Sequence, residues 1–83
     1  MKLRYPVVHV KWDDACADNS WASVKEPELK EAIVTTLGFL IKENDRHILI
    51  ASTYDEENMN CSIQIPKHSI ISREEVVPAE KED

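Results

Sequence analysis

The chain has little of three residue types that mark large protein classes. Its 83 residues include one glycine, two cysteines and few aromatic residues (two Trp, two Tyr and one Phe). One glycine cannot build the glycine-rich loops that hold nucleotide phosphates. Two cysteines cannot build the disulfide framework of a small secreted domain, so we expect free thiols.

The sequence also lacks a long apolar run. No stretch approaches the roughly 20 apolar residues that a transmembrane helix requires. The basic start at Met1 to Arg4 is followed by an apolar stretch that His9 and Lys11 interrupt, which is too short for a signal peptide. We therefore expect a cytoplasmic protein with no membrane partner.

Acidic residues outnumber basic residues, but unevenly along the chain. With 16 acids and 10 bases, the formal charge is −6, which argues against wrapping of duplex nucleic acid. The segment from Asp13 to Glu31 contains six acids and two bases, and the tail from Pro78 to Asp83 contains three acids and one base. The remainder is close to neutral and has a basic spot at Lys67–Arg73.

Strand patterns dominate the rest of the sequence. Val8, Val10 and Trp12 alternate with polar residues, which is typical of a half-buried strand. The later strand segments are rich in β-branched residues or alternate in the same way, and they cover residues 33–41, 47–54, 61–65 and 70–73. We expect one domain over residues 1–77 and a disordered acidic tail over residues 78–83.

Five short strands predict a mainly β fold: a small, strongly bent antiparallel barrel of the SH3/Sm-like type. A long acidic loop or a short helical turn follows the first strand, whereas the other connections are short. An open sheet with one helix at residues 23–32 is the alternative. Gly38 lies in the middle of a strand, where it indicates a bulge, a sharp bend or the close approach of another backbone.

The C-terminal half resembles the Sm-like family. The likeness lies in the strand at Ile48–Ile50, the strand that ends at Ile65-Pro66, and Lys67-His68 followed by a small residue and Ile70-Ile71. The Lys-His pair is similar to the signature of the bacterial RNA chaperone Hfq. That resemblance implies a ring whose pore binds single-stranded RNA through Lys67 and His68.

Most of the chain also resembles small uncharacterised proteins encoded by bacteriophages and prophages. The matching pattern comprises Val8-x-Val10-x-Trp12-x-Asp14-Ala15, Trp21, Thr36-Leu37-Gly38-Phe39-Leu40 and Ile65-Pro66-Lys67. This resemblance implies a phage-type accessory protein, and it implies no particular chemistry.

No pattern in the sequence predicts catalysis. The histidines and cysteines do not stand at zinc-ligand spacings, so we expect neither a metal nor a cofactor. Cys61 alternates with Ile63 and Ile65 on an apparent core face, where a thiol is inert. Cys16 has no base close to it in the sequence. We therefore expect a binding protein rather than an enzyme.

Two groups of residues are the candidate binding sites. Trp21, Asp13 and Asp14 belong to the acidic loop. Trp21 either folds back as a lid over the end of the barrel or anchors an interface, where the surrounding acids suit a basic host protein. Lys67, His68 and Arg73 form the basic spot, which suits a small nucleotide-like ligand. Single-stranded RNA is the alternative ligand, and the free edges of a small barrel predict a homo-oligomer.

Overall fold

The computed structural model describes residues 3–14 and 31–80, which form one antiparallel sheet of five strands. The strands are β1 (Val7–Asp13), β2 (Ile33–Glu43), β3 (His47–Tyr54), β4 (Met59–Pro66) and β5 (Ile70–Val77), with a 3-10 helix (Lys67–Ser69) between the last two. The predicted mainly β fold with five strands is confirmed. The alternative helix at residues 23–32 lies mostly outside the described residues and stays a prediction.

Two short turns fix the register of the central strands. In the β2–β3 turn, the Asn44 side-chain oxygen accepts hydrogen bonds from the backbone N–H groups of Arg46 (2.9 Å) and His47 (2.8 Å). In the β3–β4 turn, an Asp55 carboxylate oxygen accepts from Glu57 (2.9 Å) and Asn58 (2.6 Å). Asn and Asp favour turns because their short side chains bond the backbone in this way.

The order of the strands forces the sheet to curl. The order is β4-β3-β2-β1-β5, so the two strands that Lys67–Ser69 connects lie at opposite edges. Those edges would lie about 19 Å apart in a flat sheet, whereas a 3-10 helix rises only about 2 Å per residue. The edges therefore approach each other at this end. Because β4 pairs only with β3 and β5 only with β1 in the described residues, the sheet is not closed, and the barrel stays a prediction.

The long strand β2 belongs to both halves of the curled sheet. Its residues 33–39 pair with β1 and its residues 39–43 pair with β3, with an irregularity at Ile41. The inner face of β1 consequently lies against the inner faces of β3 and β4. Their side chains form one buried cluster: Val8, Val10, Trp12, Ile48, Ile50 and Ile65.

Gly38 allows β3 to approach β2 closely. A Cβ atom at this position would lie 2.6 Å from Ile50 Cγ2 and 2.8 Å from the Ala51 carbonyl oxygen. Both distances are too short for a real contact, so only glycine fits without displacing β3. The close approach of another backbone, one of the three predictions for Gly38, is confirmed.

The prediction that Cys61, Ile63 and Ile65 share one core face is wrong. Ile65 is fully buried, but Cys61 is exposed and Ile63 is 37% exposed. Cys61 has a φ of 52°, which interrupts the extended backbone that alternation requires. In addition, β4 is an edge strand whose residues 59–64 are all exposed.

The last strand is longer than the sequence pattern indicates. It continues to Val77, and its register with β1 shifts at Ile71 and again at Val76. After it, the Glu80 N–H donates to the Leu3 carbonyl oxygen at 2.9 Å. Of the predicted disordered tail, residues 78–80 are thus placed beside the N-terminal segment, and residues 81–83 lie outside the described residues.

We expect Gly38→Ala to lower the free energy of unfolding by about 2 kcal/mol, because the added methyl group overpacks the contact with Ile50 and Ala51. Urea denaturation measures this change. The matched control is Leu37→Ala on the same strand, where the side chain is 62% exposed and the expected change is within about 0.5 kcal/mol. Unchanged or increased stability of Gly38→Ala would contradict the tight approach.

Candidate functional site

A cleft lies where the curled sheet is open, between the end of β1 and the edge strand β4. We call it the seam cleft. Its volume is about 370 Å3, and its lining residues are Trp12, Asp13, Asp14, Ile63, Gln64, Pro66 and Ser69. Its position follows from the curl, which brings β1 and β4 together although two strands separate them in the sheet.

The β1 side of the seam cleft is held in place by hydrogen bonds. The Trp12 indole Nε1–H donates to Thr36 Oγ1 at 2.9 Å, and the side chain is only 5% exposed. An Asp13 carboxylate oxygen accepts from the Ala32 N–H at 3.3 Å, and the Asp14 N–H donates to the Ala32 carbonyl oxygen at 2.8 Å. These contacts fix two half-buried acidic residues beside an aromatic ring.

The chemistry of the seam cleft suits a ligand that is both cationic and partly apolar. Ile63 and Pro66 supply apolar surface beside the largely buried Trp12, and Asp13 and Asp14 add two acidic residues to the lining. A lysine or arginine side chain has both properties, since its methylene stem packs on apolar groups while its head remains charged. A phosphate group would meet the two carboxylates with repulsion.

The predicted basic residues meet at a carboxylate of β2. The Arg73 guanidinium donates to both oxygens of Glu43, at 2.9 and 3.2 Å, and Lys67 Nζ lies 2.9 Å from Glu43 Oε2. The hydrogen bonds from Arg73 and then from Lys67 lower the pKa of Glu43 from 4.5 to about 2. The hydrogen bond to Glu43 in turn raises the pKa of Arg73.

This ion-pair cluster has a structural role as well as a charge. It ties the edge strand β5 and the connector to the far end of β2, across the two halves of the sheet. Glu43 offsets one of the two positive charges, so the cluster has a net charge of about +1. Its ability to attract phosphate is correspondingly reduced.

The predicted site residues therefore fall into two separate places. Asp13 and Asp14 come together in the seam cleft, whereas Lys67 and Arg73 come together at Glu43. His68 follows Lys67 in the connector and is exposed. Trp21 lies outside the described residues, so its part in the site stays a prediction.

A second cleft contains residues that the sequence did not suggest. We call it the hairpin cleft; its volume is about 370 Å3, and its lining includes Arg4, Tyr5, Tyr54, Glu56, Glu57 and Met59. The Arg4 guanidinium carbon lies 4.8 Å from the Tyr5 ring centre and 5.1 Å from that of Tyr54. Tyr54 also packs edge-to-face against Phe39 and Tyr5. No sequence pattern joins Arg4 to a turn some fifty residues later.

Backbone contacts complete the hairpin cleft. The Arg4 guanidinium donates to the carbonyl oxygens of Asp55 (2.8 Å) and Glu56 (3.1 Å). The N-terminal segment is thereby clamped onto the β3–β4 turn, where Glu56 and Glu57 are exposed. The cleft is thus lined by two glutamates, two tyrosine rings and the Arg4 guanidinium, which offsets one of the two negative charges.

Residues 3–14 and 31–80 contain no group of three or more His, Cys, Asp or Glu side chains that could hold a metal ion. In the same residues, no helix has the length and apolar character needed to cross a membrane. Comparison of the chain with protein-family models, curated proteins and solved structures found no match.

We expect Glu43→Gln to flatten the acid limb of the stability profile. The lowered pKa means that ionised Glu43 stabilises the fold above about pH 5, and that this contribution is lost as the pH falls towards 2. At pH 7 the variant should be about 1 kcal/mol less stable, a modest figure because the Glu43 side chain is 36% exposed. Urea denaturation from pH 2 to pH 7 measures both effects.

The control for this experiment is Glu57→Gln, which removes an exposed glutamate of the β3–β4 turn. Its profile should run parallel to that of the wild type. If Glu43→Gln also runs parallel to the wild type, the ion-pair cluster does not stabilise the fold.

Proposed function

We propose that this chain is a non-catalytic protein-binding module that takes a basic segment of a host protein in the seam cleft. The observation that supports this proposal is that the same cleft is lined by the apolar residues Ile63 and Pro66 and by the acidic residues Asp13 and Asp14. The net charge of −6 favours the same partner, since it attracts a basic protein over distance.

The basic spot supports the other predicted ligands less well. A nucleotide-like ligand or single-stranded RNA would need Lys67 and Arg73 for its phosphates, and both cations already contact Glu43. A phosphate group would have to compete with the Glu43 carboxylate for these two cations. Both ligands stay predictions, and the binding experiment below distinguishes them from a protein.

The proposal includes an SH3/Sm-like identity for the fold. Its support is the layout of the strands: a long first connection, three short later ones, and a fifth strand that returns beside the first. Such a layout, with a bent second strand shared by two halves, is that of a small partly open barrel. The seam cleft is the gap in such a barrel.

The remaining parts of the proposal concern the setting of the chain. The sequence resemblance to phage-encoded proteins supports an accessory protein that acts on a host component. The free, exposed thiol of Cys61 is compatible with a reducing compartment such as the cytoplasm. Homo-oligomer formation through a free sheet edge is a further mode of association and stays a prediction.

We expect Ile63→Ser to weaken capture of the partner, because it removes apolar surface from the seam cleft and adds no charge. The immobilised protein is exposed to bacterial lysate, and mass spectrometry identifies what it retains. The matched control is Ile71→Ser on β5, where the isoleucine is 57% exposed and does not line the seam cleft. This control should retain the partner as the wild type does.

A captured protein should also be released by salt, since exposed charges are screened at high ionic strength. Retention of RNA or of a nucleotide in place of a protein would contradict the proposal. If Ile63→Ser and Ile71→Ser reduce retention of the partner equally, the seam cleft is not the binding site.

A further inference from the structure

The two edges of the sheet differ in their protection against pairing. β5 has the charged side chains Arg73, Glu74 and Glu75 and two register shifts, which are devices that keep edge strands from pairing. β4 has no charged residue from Met59 to Pro66, and its residues 59–64 are exposed. β4 has a positive φ at Cys61 and ends at Pro66, so among the described residues the stretch from Ser62 to Ile65 is the part of the two edges that is open to an added strand.

The backbone of β4 has groups that point away from the sheet. The Lys67 N–H donates to the Arg46 carbonyl oxygen at 2.7 Å, in register with the pairing of Gln64 with Leu49 and of Ile65 with Ile48. Because alternate residues of an antiparallel strand bond the same neighbour, Ile65 and Ile63 bond β3. Ser62 and Gln64 then direct their N–H and C=O groups outward.

Acidic clefts lie at both ends of β4. The hairpin cleft includes Met59 at the start of the strand, together with the exposed Glu56 and Glu57. The seam cleft includes Ile63, Gln64 and Pro66 at its end, together with Asp13 and Asp14. An uncharged strand with carboxylates at each end is complementary to an extended segment that is apolar in the middle and basic at its ends.

We propose that an extended basic segment of a partner protein adds to β4 as a sixth, antiparallel strand. This inference rests on the proposed function and specifies how the partner is held. The outward backbone groups of Ser62 and Gln64 provide the ladder, as in other cases of strand addition. The basic ends of the segment reach Asp13 and Asp14 on one side and Glu56 and Glu57 on the other.

Charge favours this occupant over a second copy of the chain. A second copy offers two free edges, β4 and β5. In an antiparallel pair of two β4 strands, Glu56 and Glu57 of one copy would approach Asp13 and Asp14 of the other. In β5, Glu74 and Glu75 are exposed and Arg73 is paired with Glu43. That edge would bring negative charge towards the acidic ends of β4, where like charges repel. A basic segment meets attraction at the same positions.

The probe is a fluorescent eight-residue peptide, Lys-Lys-Thr-Val-Thr-Val-Lys-Lys, which matches the length of β4. Fluorescence anisotropy measures its affinity for the full chain, and amide hydrogen exchange by NMR locates the contact. At saturation, we expect the Ser62 and Gln64 amides to exchange about tenfold more slowly, with the β5 amides unchanged. The affinity of a peptide with glutamate in place of lysine should be lower by about tenfold or more.

Matched variants test the charge at the ends of β4. The double variant Glu56→Gln with Glu57→Gln should lower the affinity for the lysine peptide about fivefold, because two exposed negative charges that attract it are removed. The control, Glu74→Gln with Glu75→Gln, makes the same change of charge in β5 and should leave the affinity unchanged. N-methylation of the peptide amides that face β4 should abolish binding, since it removes the ladder donors.

Each other outcome overturns the inference in a distinct way. Strand addition is rejected if the bound peptide protects other amides. It is also rejected if the peptide still binds after N-methylation of either set of alternate amides. Both results leave the proposed function intact. Protection of Ser62 and Gln64 without peptide, together with a doubled mass in solution, assigns the edge to a second copy. If the peptide does not bind at 1 mM, which is on the order of the weakest specific affinities, the inference is rejected. The proposed function is tested separately, by capture of a protein from lysate.

Discussion

β4 and β5 follow each other in the chain with only Lys67–Ser69 between them, yet they form opposite edges of one sheet. A connector so short cannot cross a flat sheet, so the sheet has to curl. In the curled sheet β2 pairs with both β1 and β3, and at Gly38 the residues Ile50 and Ala51 of β3 approach so closely that a side chain would not fit. One topological constraint thus explains the shared strand, the position of the only glycine and the enclosed core.

The same curl creates the surfaces that can bind a partner. It brings the end of β1 to the edge strand β4, and the seam cleft is the space that remains between them. Because the sheet does not close in the described residues, both edge strands keep one side without a sheet neighbour. The charges and register shifts of β5 oppose pairing there, whereas β4 is uncharged and lies between two acidic clefts. For this reason we propose β4, and not β5, as the edge that takes a partner.

Electrostatics divides the molecule into two regions with different tasks. The seam cleft is lined by Asp13 and Asp14, and the hairpin cleft by Glu56 and Glu57. In the basic region, Lys67 and Arg73 contact the Glu43 carboxylate and connect β5 to β2. From the sequence alone, a cluster of basic residues suggests a ligand site. The structure shows that a neighbouring strand supplies an acidic residue to that cluster. Here Lys67 and Arg73 hold Glu43 and so connect β5 to β2.

Local pattern was sufficient for the strands and turns. Alternation and β-branched residues place the strands, Asn44 and Asp55 close the turns by bonding their own neighbours, and proline ends β4, because each of these effects acts within a few residues. Contacts between distant residues decided the rest: the partner of Arg73, the exposure of Cys61 and the Arg4 clamp all depend on register and curl. Alternation assigns a residue to a face, but only the packed sheet determines which face is covered.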